Sequence, residues 1–216
     1  MSEFDELDIA VRAYTEEPDK PPVAAKSHNT EFDEPSDWAI IFDCETLIDP
    51  SQSLRFGFYQ VRKSGKLMRE GVFYNAETLG PAEIEIIEQY ARDKGILAIS
   101  DWDFRRDFLK VGYNLRGTVI GFNLPFDISR IAIGHGYARK SMRGGFSFRF
   151  SKDRRTPSVR VKHLSRNAAL VDFAVPGMQE TPRGERRKGF RVAKHRGFFI
   201  DVKTLAAALT PNKGSL

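Results

Sequence analysis

The sequence is poor in cysteine and has no long apolar run. Its 216 residues contain a single cysteine, Cys44, so an intramolecular disulfide is excluded. No run of about 18 apolar residues is present, so no transmembrane helix is expected. The acidic first residues also lack the apolar centre of a signal peptide. These absences predict a cytoplasmic protein with no membrane partner.

Histidine is also scarce, and no metal-ligand spacing relates the four histidines, His28, His135, His163 and His195. Charge, by contrast, is abundant and unevenly distributed around a net value of +5. Residues 1–37 carry 11 acidic and 3 basic side chains, whereas residues 139–196 carry 17 basic and 4 acidic ones. A basic segment with interleaved aromatic residues favours contact with single-stranded nucleic acid, although a solvated basic surface has the same composition.

The first 36 residues are rich in acids and proline and have few large apolar side chains. This composition is typical of a disordered segment. We therefore expect a disordered acidic tail over residues 1–36 and one folded domain over residues 37–216. The tail would either keep the chain soluble or compete with nucleic acid for the basic segment.

Short apolar runs alternate with helical patterns in the rest of the chain, which predicts an α/β domain. From Gly144 the apolar residues recur at every second position, which predicts a basic β-meander that ends near residue 174. Residues 179–197 are predicted to form a polar, basic loop. The other predicted strands cover residues 38–46, 54–62, 67–74, 118–123 and 198–201, and the predicted helices cover residues 81–94, 101–115, 125–133 and 202–209.

Two acids stand at the end of the first predicted strand. Asp43 and Glu45 alternate with Cys44, so their side chains share one face of the strand, about 7 Å apart. Two carboxylates on one face of an apolar strand are costly unless a cation lies between them. The pair therefore predicts a divalent-cation site. Cys44 points away from the acids and is interpreted as a small buried residue.

A second polar group follows the strand predicted at residues 118–123. Asn123 stands at the end of that strand, and Pro125 begins the helix that follows. Asp127 falls in the first turn of this helix, where the positive end of the helix dipole favours an anion. We expect Asn123 and Asp127 to face the same crevice as the acid pair.

The Asp-x-Glu pattern at Asp43 and Glu45 and the Asn-x-x-Phe-Asp pattern at residues 123–127 resemble two motifs of a known family. They are similar to the DEDD-type 3′→5′ exonucleases of the ribonuclease H-like superfamily, and in particular to the proofreading exonuclease domain of family B DNA polymerases. Residues 199–205 resemble the strand and helix start that follow in that family. The resemblance covers residues 38–216 and implies a ribonuclease H-like mixed sheet flanked by helices, with the β-meander as an insertion.

The resemblance implies a metal-dependent exonuclease that hydrolyses phosphodiester bonds at the 3′ end of DNA with two Mg²⁺ or Mn²⁺ ions. Asp43 would bridge both ions, Glu45 would hold the ion that orients water, and Asp127 would hold the second ion. Asn123 would contact the substrate or hold Asp127 in place. Residues that would contact the terminal base or sugar are Phe126, Leu47 and Thr46.

One family motif is missing from the sequence. The fourth carboxylate of the family lies in a Tyr-x-x-x-Asp or His-x-x-x-Asp pattern, and neither pattern occurs after Asp127. We therefore expect the chain to end before this motif, which a polymerase domain or another downstream chain would supply. Asp201 or Asp172 is the alternative source of the carboxylate.

Two other functions fit the same motifs. The first is a catalytically inactive module of the same fold that binds single-stranded nucleic acid or its 3′ ends. The second is a DEDD-type ribonuclease, because recognition of the 2′-hydroxyl depends on geometry that a sequence does not display. The family resemblance favours DNA over RNA as the partner.

Overall fold

A computed structural model describes residues 34–153, 155–165, 168–174 and 195–209. The predicted acidic tail lies outside the described residues except for its last three positions. The predicted loop over residues 179–197 lies outside them except for residues 195–197. None of the helices in the described ranges is long and apolar enough to cross a membrane.

The described residues form ten strands and four α-helices. In chain order they are β1 Trp38–Thr46, β2 Leu54–Lys63, β3 Lys66–Tyr74, α1 Pro81–Lys94, β4 Leu97–Ser100, α2 Asp101–Leu109, β5 Thr118–Gly121, α3 Leu124–Ile131, β6 Gly134–Tyr137, β7 Phe146–Arg149, β8 Ser158–Ser165, β9 Ala168–Ala174, β10 Phe198–Asp201 and α4 Val202–Leu209.

The larger sheet contains six strands in the order β10-β5-β1-β2-β3-β4. Strands β1, β2 and β3 form an antiparallel meander, while β5 lies parallel to β1 and β10 lies parallel to β5. Strand β4 pairs in parallel with β3. The predicted α/β class, with a mixed sheet flanked by helices, is therefore confirmed. Strand β1 and helix α1 also begin and end where the sequence predicts them, and helix α4 begins at the predicted residue.

Helix α2 is followed by a π-helical turn at Lys110–Asn114. The helical segment therefore ends near residue 115, as predicted, but its last turn is a π-helix, which is wider than an α-helix. Strand β4 is absent from the sequence prediction because its four residues carry little pattern of their own. It forms by pairing with β3. Gly71 allows this pairing, since a Cβ at that position would lie 2.5 Å from the backbone oxygen of Leu97.

The prediction that α3 continues to Ile133, with residues 134–136 as its end, is wrong. The helix ends at Ile131, and Ala132 has extended dihedral angles of φ −74° and ψ 144°. The backbone N–H of Ile133 then donates to the oxygen of Arg149 at 2.8 Å, and β6 pairs antiparallel with β7. Pairing with a distant strand thus replaces the last helical turn.

The smaller sheet is antiparallel, in the order β6-β7-β8-β9. It contains the predicted meander with β6 added at one edge. Its inner face carries Val159, Val161 and Phe173, which are fully buried or nearly so. On the opposite face Arg160 donates two hydrogen bonds of 2.7 and 2.6 Å to the carboxylate of Asp172. Asp172, one alternative for the fourth carboxylate, is therefore held in an ion pair of the smaller sheet.

The core between the two sheets is largely aromatic. Phe104 and Phe108 of α2 stand one helical turn apart, and both are completely buried. The ring of Phe104 stacks on Phe73 at a centroid distance of 3.8 Å and contacts Phe42 at 5.3 Å. Phe42 belongs to β1, so this cluster fixes the face that β1 turns toward the core.

The substitution Phe104→Ala should therefore destabilise the protein by about 3–5 kcal/mol, because it leaves a cavity among buried rings. Urea denaturation followed by circular dichroism measures this loss. The matched control is Trp102→Ala in the same helix, where the side chain is 57% exposed, and its cost should stay below about 1 kcal/mol. Equal losses in the two variants would contradict the assigned core.

Candidate acidic site at the ends of the parallel strands

The acid pair lies on the face of β1 that is turned away from the aromatic core. Asp43 and Glu45 are exposed. Phe42, which precedes them, and Cys44, which lies between them in the sequence, are buried. The two carboxylates therefore share one face, as the alternation of the sequence predicts. Parallel strands β1, β5 and β10 end at the same edge of the sheet, and ligands of α/β sheets commonly bind at such an edge.

Aromatic rings stand beside the acids on the same face. The antiparallel register pairs Asp43 with Phe58 and Glu45 with Phe56, so each acid has a ring directly opposite. The rings of Phe56 and Phe58 are 6.0 Å apart, and Tyr90 of α1 lies 6.1 Å from Phe58. Sequence reasoning missed these rings as site residues. The alternation of aromatic side chains in β2 was the available signal, but it does not reveal the register with β1.

Asp127 is the buried acid of the site. Asp127 lies in the first turn of α3 and is only 2% exposed. Its carboxylate oxygen Oδ2 has no hydrogen-bond partner among the described residues. Burial, and after it the nearby charge of Asp43, raises the pKa of Asp127 to about 7. A hydrogen bond from the Cys44 backbone opposes this rise in the pKa. The arrangement concentrates negative charge that a cation would offset.

Cys44 lies between the exposed acids and the buried one. Its Sγ donates a weak hydrogen bond to the backbone oxygen of Asp127 at 3.9 Å. Burial, followed by the charges of Asp127 and Asp43, raises the pKa of the Cys44 thiol well above its usual value. The thiol is therefore neutral near pH 7 and is a poor nucleophile, in agreement with its interpretation as a small buried residue.

Asp201 connects the last strand of the sheet to the start of α3. Its Oδ1 accepts hydrogen bonds from the backbone N–H groups of Asn123, at 2.8 Å, and Leu124, at 3.1 Å. Its Oδ2 accepts a hydrogen bond of 2.6 Å from the hydroxyl of Thr204. The charge of Asp201 also contributes to the raised pKa of Asp127. Both carboxylate oxygens are engaged in anchoring α3, so this geometry gives Asp201 a positioning role beside the other acids.

Asn123 is held by its backbone at the N-terminal end of α3. Its dihedral angles, φ 67° and ψ 43°, are left-handed, a conformation that asparagine tolerates better than most residues. The side-chain oxygen accepts a hydrogen bond from Nζ of Lys203 at 3.3 Å. This hydrogen bond places Lys203 at the edge of the acidic site. Sequence reasoning did not select Lys203 as a site residue.

The residues predicted to contact substrate lie around the same edge. Thr46 and Leu47 are half-buried at the end of β1, and Phe126 is half-buried in α3. The guanidinium group of Arg130 covers the Phe126 ring at 5.0 Å. Phe122, which sequence reasoning did not select, is 61% exposed directly after β5. An exposed ring next to Asn123 is a further surface for an apolar or aromatic ligand group.

The donor atoms of the site are suited to a hard divalent cation. Carboxylate oxygens are the preferred ligands of Mg²⁺ and Mn²⁺, and the partnerless, buried Oδ2 of Asp127 is an oxygen that a cation would satisfy. In the chain as far as it is described, however, no three His, Cys, Asp or Glu side chains are grouped so that they could hold one metal ion. The two-ion site over Asp43, Glu45 and Asp127 therefore stays a prediction.

Comparison with known proteins found no family model that matches this sequence and no curated protein that is significantly similar to it. The exonuclease resemblance rests on the motifs around Asp43 and Asp127 and on residues 199–205. Function has to be inferred from the chemistry of the acidic site.

The raised pKa of Asp127 leads to a pH-dependent effect of Asp127→Asn. The carboxyl group has a pKa of about 7 when folded and an ordinary value of 3.8, so without metal the folded protein loses stability as pH rises between these values. The amide cannot ionise. The stability of the variant relative to the wild type should therefore increase by on the order of 1–3 kcal/mol between about pH 5 and pH 8.

Thermal and urea unfolding in EDTA at both pH values measures this difference. Asp93→Asn is the matched control, because Asp93 is exposed on α1. Its difference from the wild type should be the same at both pH values. A pH-independent difference for Asp127→Asn would show that ionisation of the buried carboxyl does not destabilise the folded protein.

The anchoring role of Asp201 predicts that Asp201→Ala destabilises the protein by about 1–3 kcal/mol, because two backbone N–H groups and a hydroxyl lose their acceptor. Asp201→Asn keeps one oxygen acceptor and should cost less. Hydrogen exchange of the Asn123 and Leu124 amides should accelerate in the alanine variant. Unchanged exchange at both amides would refute the anchoring role.

Proposed function

We propose that the chain is a metal-dependent 3′→5′ exonuclease of ribonuclease H-like fold that removes nucleotides from the 3′ end of single-stranded DNA. The observation that carries the proposal is Asp127, a buried carboxyl group with a partnerless oxygen beside Asp43 at the ends of parallel strands. A pKa of about 7 makes this proton easy to displace by a cation at neutral pH. A mixed sheet flanked by helices supports the fold assignment.

Each acid has a role that follows from its position. Asp43 and Asp127 would hold divalent ions, since their charges already act on each other, and Glu45 would add a ligand on the exposed side of β1. Such ions supply activated water and stabilise the developing charge on the leaving oxygen. Asp201 would hold the start of α3 so that Asp127 keeps its place.

The neighbouring side chains suit a nucleic-acid end. Phe58 and Phe56 provide rings beside the acids on which a terminal base can stack, and Phe122 provides another at the end of β5. Lys203 places an ammonium group next to Asn123, where it can contact a phosphate. The site therefore combines ligands for cations with contacts for base and backbone.

The proposal predicts divalent-metal-dependent shortening of a 5′-labelled single-stranded DNA from its 3′ end, with mononucleotides as products. Asp43→Ala and Asp127→Ala should each lower the rate by at least about 100-fold, because even groups that only support metal ligands contribute 10–100-fold. Asp93→Ala, an exposed acid on α1, should cleave like the wild type. Denaturing gels of time courses with Mg²⁺, Mn²⁺ or EDTA measure the rates.

A second candidate function is a catalytically inactive module that binds single-stranded nucleic acid. It is favoured by the absence, within the described part of the chain, of three potential metal ligands grouped around one point. Tight binding without any cleavage in Mg²⁺ or Mn²⁺ would select this module over the exonuclease.

A matched RNA oligonucleotide included in the same assay tests for a ribonuclease. Faster degradation of the RNA than of the DNA would identify RNA as the substrate.

A further inference from the structure

Three aromatic rings form an exposed row at the edge of the smaller sheet. They belong to His135 and Tyr137 of β6 and to Phe146 of β7, and we name them the aromatic platform. Tyr137 is 86% exposed and Phe146 is 44% exposed. Their ring centroids are 6.3 Å apart at an interplanar angle of 26°, and the His135 ring lies 6.5 Å from that of Phe146.

The platform continues the inner face of the smaller sheet beyond the core. Register pairs Tyr137 with Phe146 and Phe146 with Val161, so these three side chains lie on one face. Val161 is 2% exposed, whereas Tyr137 at the edge is almost fully exposed. Core packing therefore does not account for Tyr137, which presents a large apolar surface to solvent.

The segment of chain that carries the platform has charge of one sign. Residues 128–152 include no acidic residue. The loop between Tyr137 and Phe146 carries the exposed side chains of Arg139 and Arg143. Hydrogen bonds keep this loop compact, since the N–H of Ala138 donates to the oxygen of Gly145 at 2.9 Å. The two arginines are thus held between the strands that carry the rings.

We propose that the aromatic platform binds single-stranded nucleic acid by stacking its bases on Tyr137 and Phe146, while Arg139 and Arg143 contact the phosphates. Flat rings flanked by exposed arginines suit a polyanion with flat apolar groups better than an apolar protein surface. The inference rests on the proposed function, because the bound strand is the one whose 3′ end enters the acidic site.

The distance between the two surfaces is limited by the chain. Tyr137 follows Asp127 by ten residues, four of them helical, so their Cα atoms lie within roughly 27 Å of each other. A strand that extends several nucleotides from its 3′ end is therefore long enough to occupy both surfaces. An oligonucleotide that spans both should gain the full contribution of the platform, whereas one too short to span them should gain less.

Fluorescence anisotropy of the full chain with fluorescein-labelled oligothymidylates of 4 and 20 nucleotides, in EDTA, tests the platform without cleavage. Tyr137→Ala/Phe146→Ala should weaken binding of the 20-mer by at least about 5-fold, and binding of the 4-mer much less. Tyr137→Phe should bind like the wild type. Arg139→Ala/Arg143→Ala should lower the slope of log affinity against log salt by about 0.7 per arginine.

Trp102→Ala is the matched control, because Trp102 is also exposed and lies beside an arginine, Arg106, at 4.7 Å. It should not change affinity. Unchanged binding by the double alanine variant overturns the platform. Tyr137→Leu/Phe146→Leu is decisive for stacking, because leucine keeps an apolar side chain but has no ring. Wild-type affinity for the 20-mer in this variant overturns base stacking.

The same samples assayed with Mg²⁺ separate this inference from the proposed function. Cleavage by the wild type, together with unaltered binding of the double alanine variant, overturns the platform and leaves the exonuclease standing. Platform-dependent binding without cleavage supports the platform and overturns the exonuclease. A wild-type chain that neither binds nor cleaves the 20-mer overturns both.

Discussion

Strand β1 must turn Ile40, Phe42 and Cys44 toward the core, and the geometry of the acidic site depends on that constraint. The aromatic cluster around Phe42 would lose several kcal/mol if β1 slipped by one residue, because every side chain of the strand would change face. The same alternation keeps Asp43 and Glu45 on the opposite, solvated face. Packing energy from the core is thus what holds two repelling carboxylates in place.

The buried acid, Asp127, is positioned by the edge strand β10 of the larger sheet. Strand β10 brings Asp201 beside β5, where its carboxylate satisfies two N–H groups at the start of α3 that would otherwise lack acceptors. Asp127 in the first turn of that helix is consequently fixed against Cys44. Three parallel strands, β1, β5 and β10, therefore cooperate to bring acids from distant parts of the chain to one edge.

Local sequence was sufficient where an element carries its own signal. Proline at the start of α1 and glycine after its end mark both boundaries, and a glutamate at the third position completes the hydrogen bonding of the first turn. The alternation in β1 and the polar residues at its end predicted which acids share a face. The motif at residues 123–127 predicted a strand-to-helix junction, and that junction is present between β5 and α3.

Tertiary structure decided the features that depend on distant partners. Residues 134–137 form a strand only because β7 is available to pair with them, so their local pattern suggested a helix end. The register of β2 against β1 placed Phe58 beside Asp43, which no local pattern encodes. Burial of Asp127, and the raised pKa that follows, arises from packing against β1. The sequence by itself determined which residues are acidic and that Asp43 and Glu45 share a face. Long-range strand pairing and burial decided which groups surround these acids, because register and desolvation depend on residues far apart in the chain.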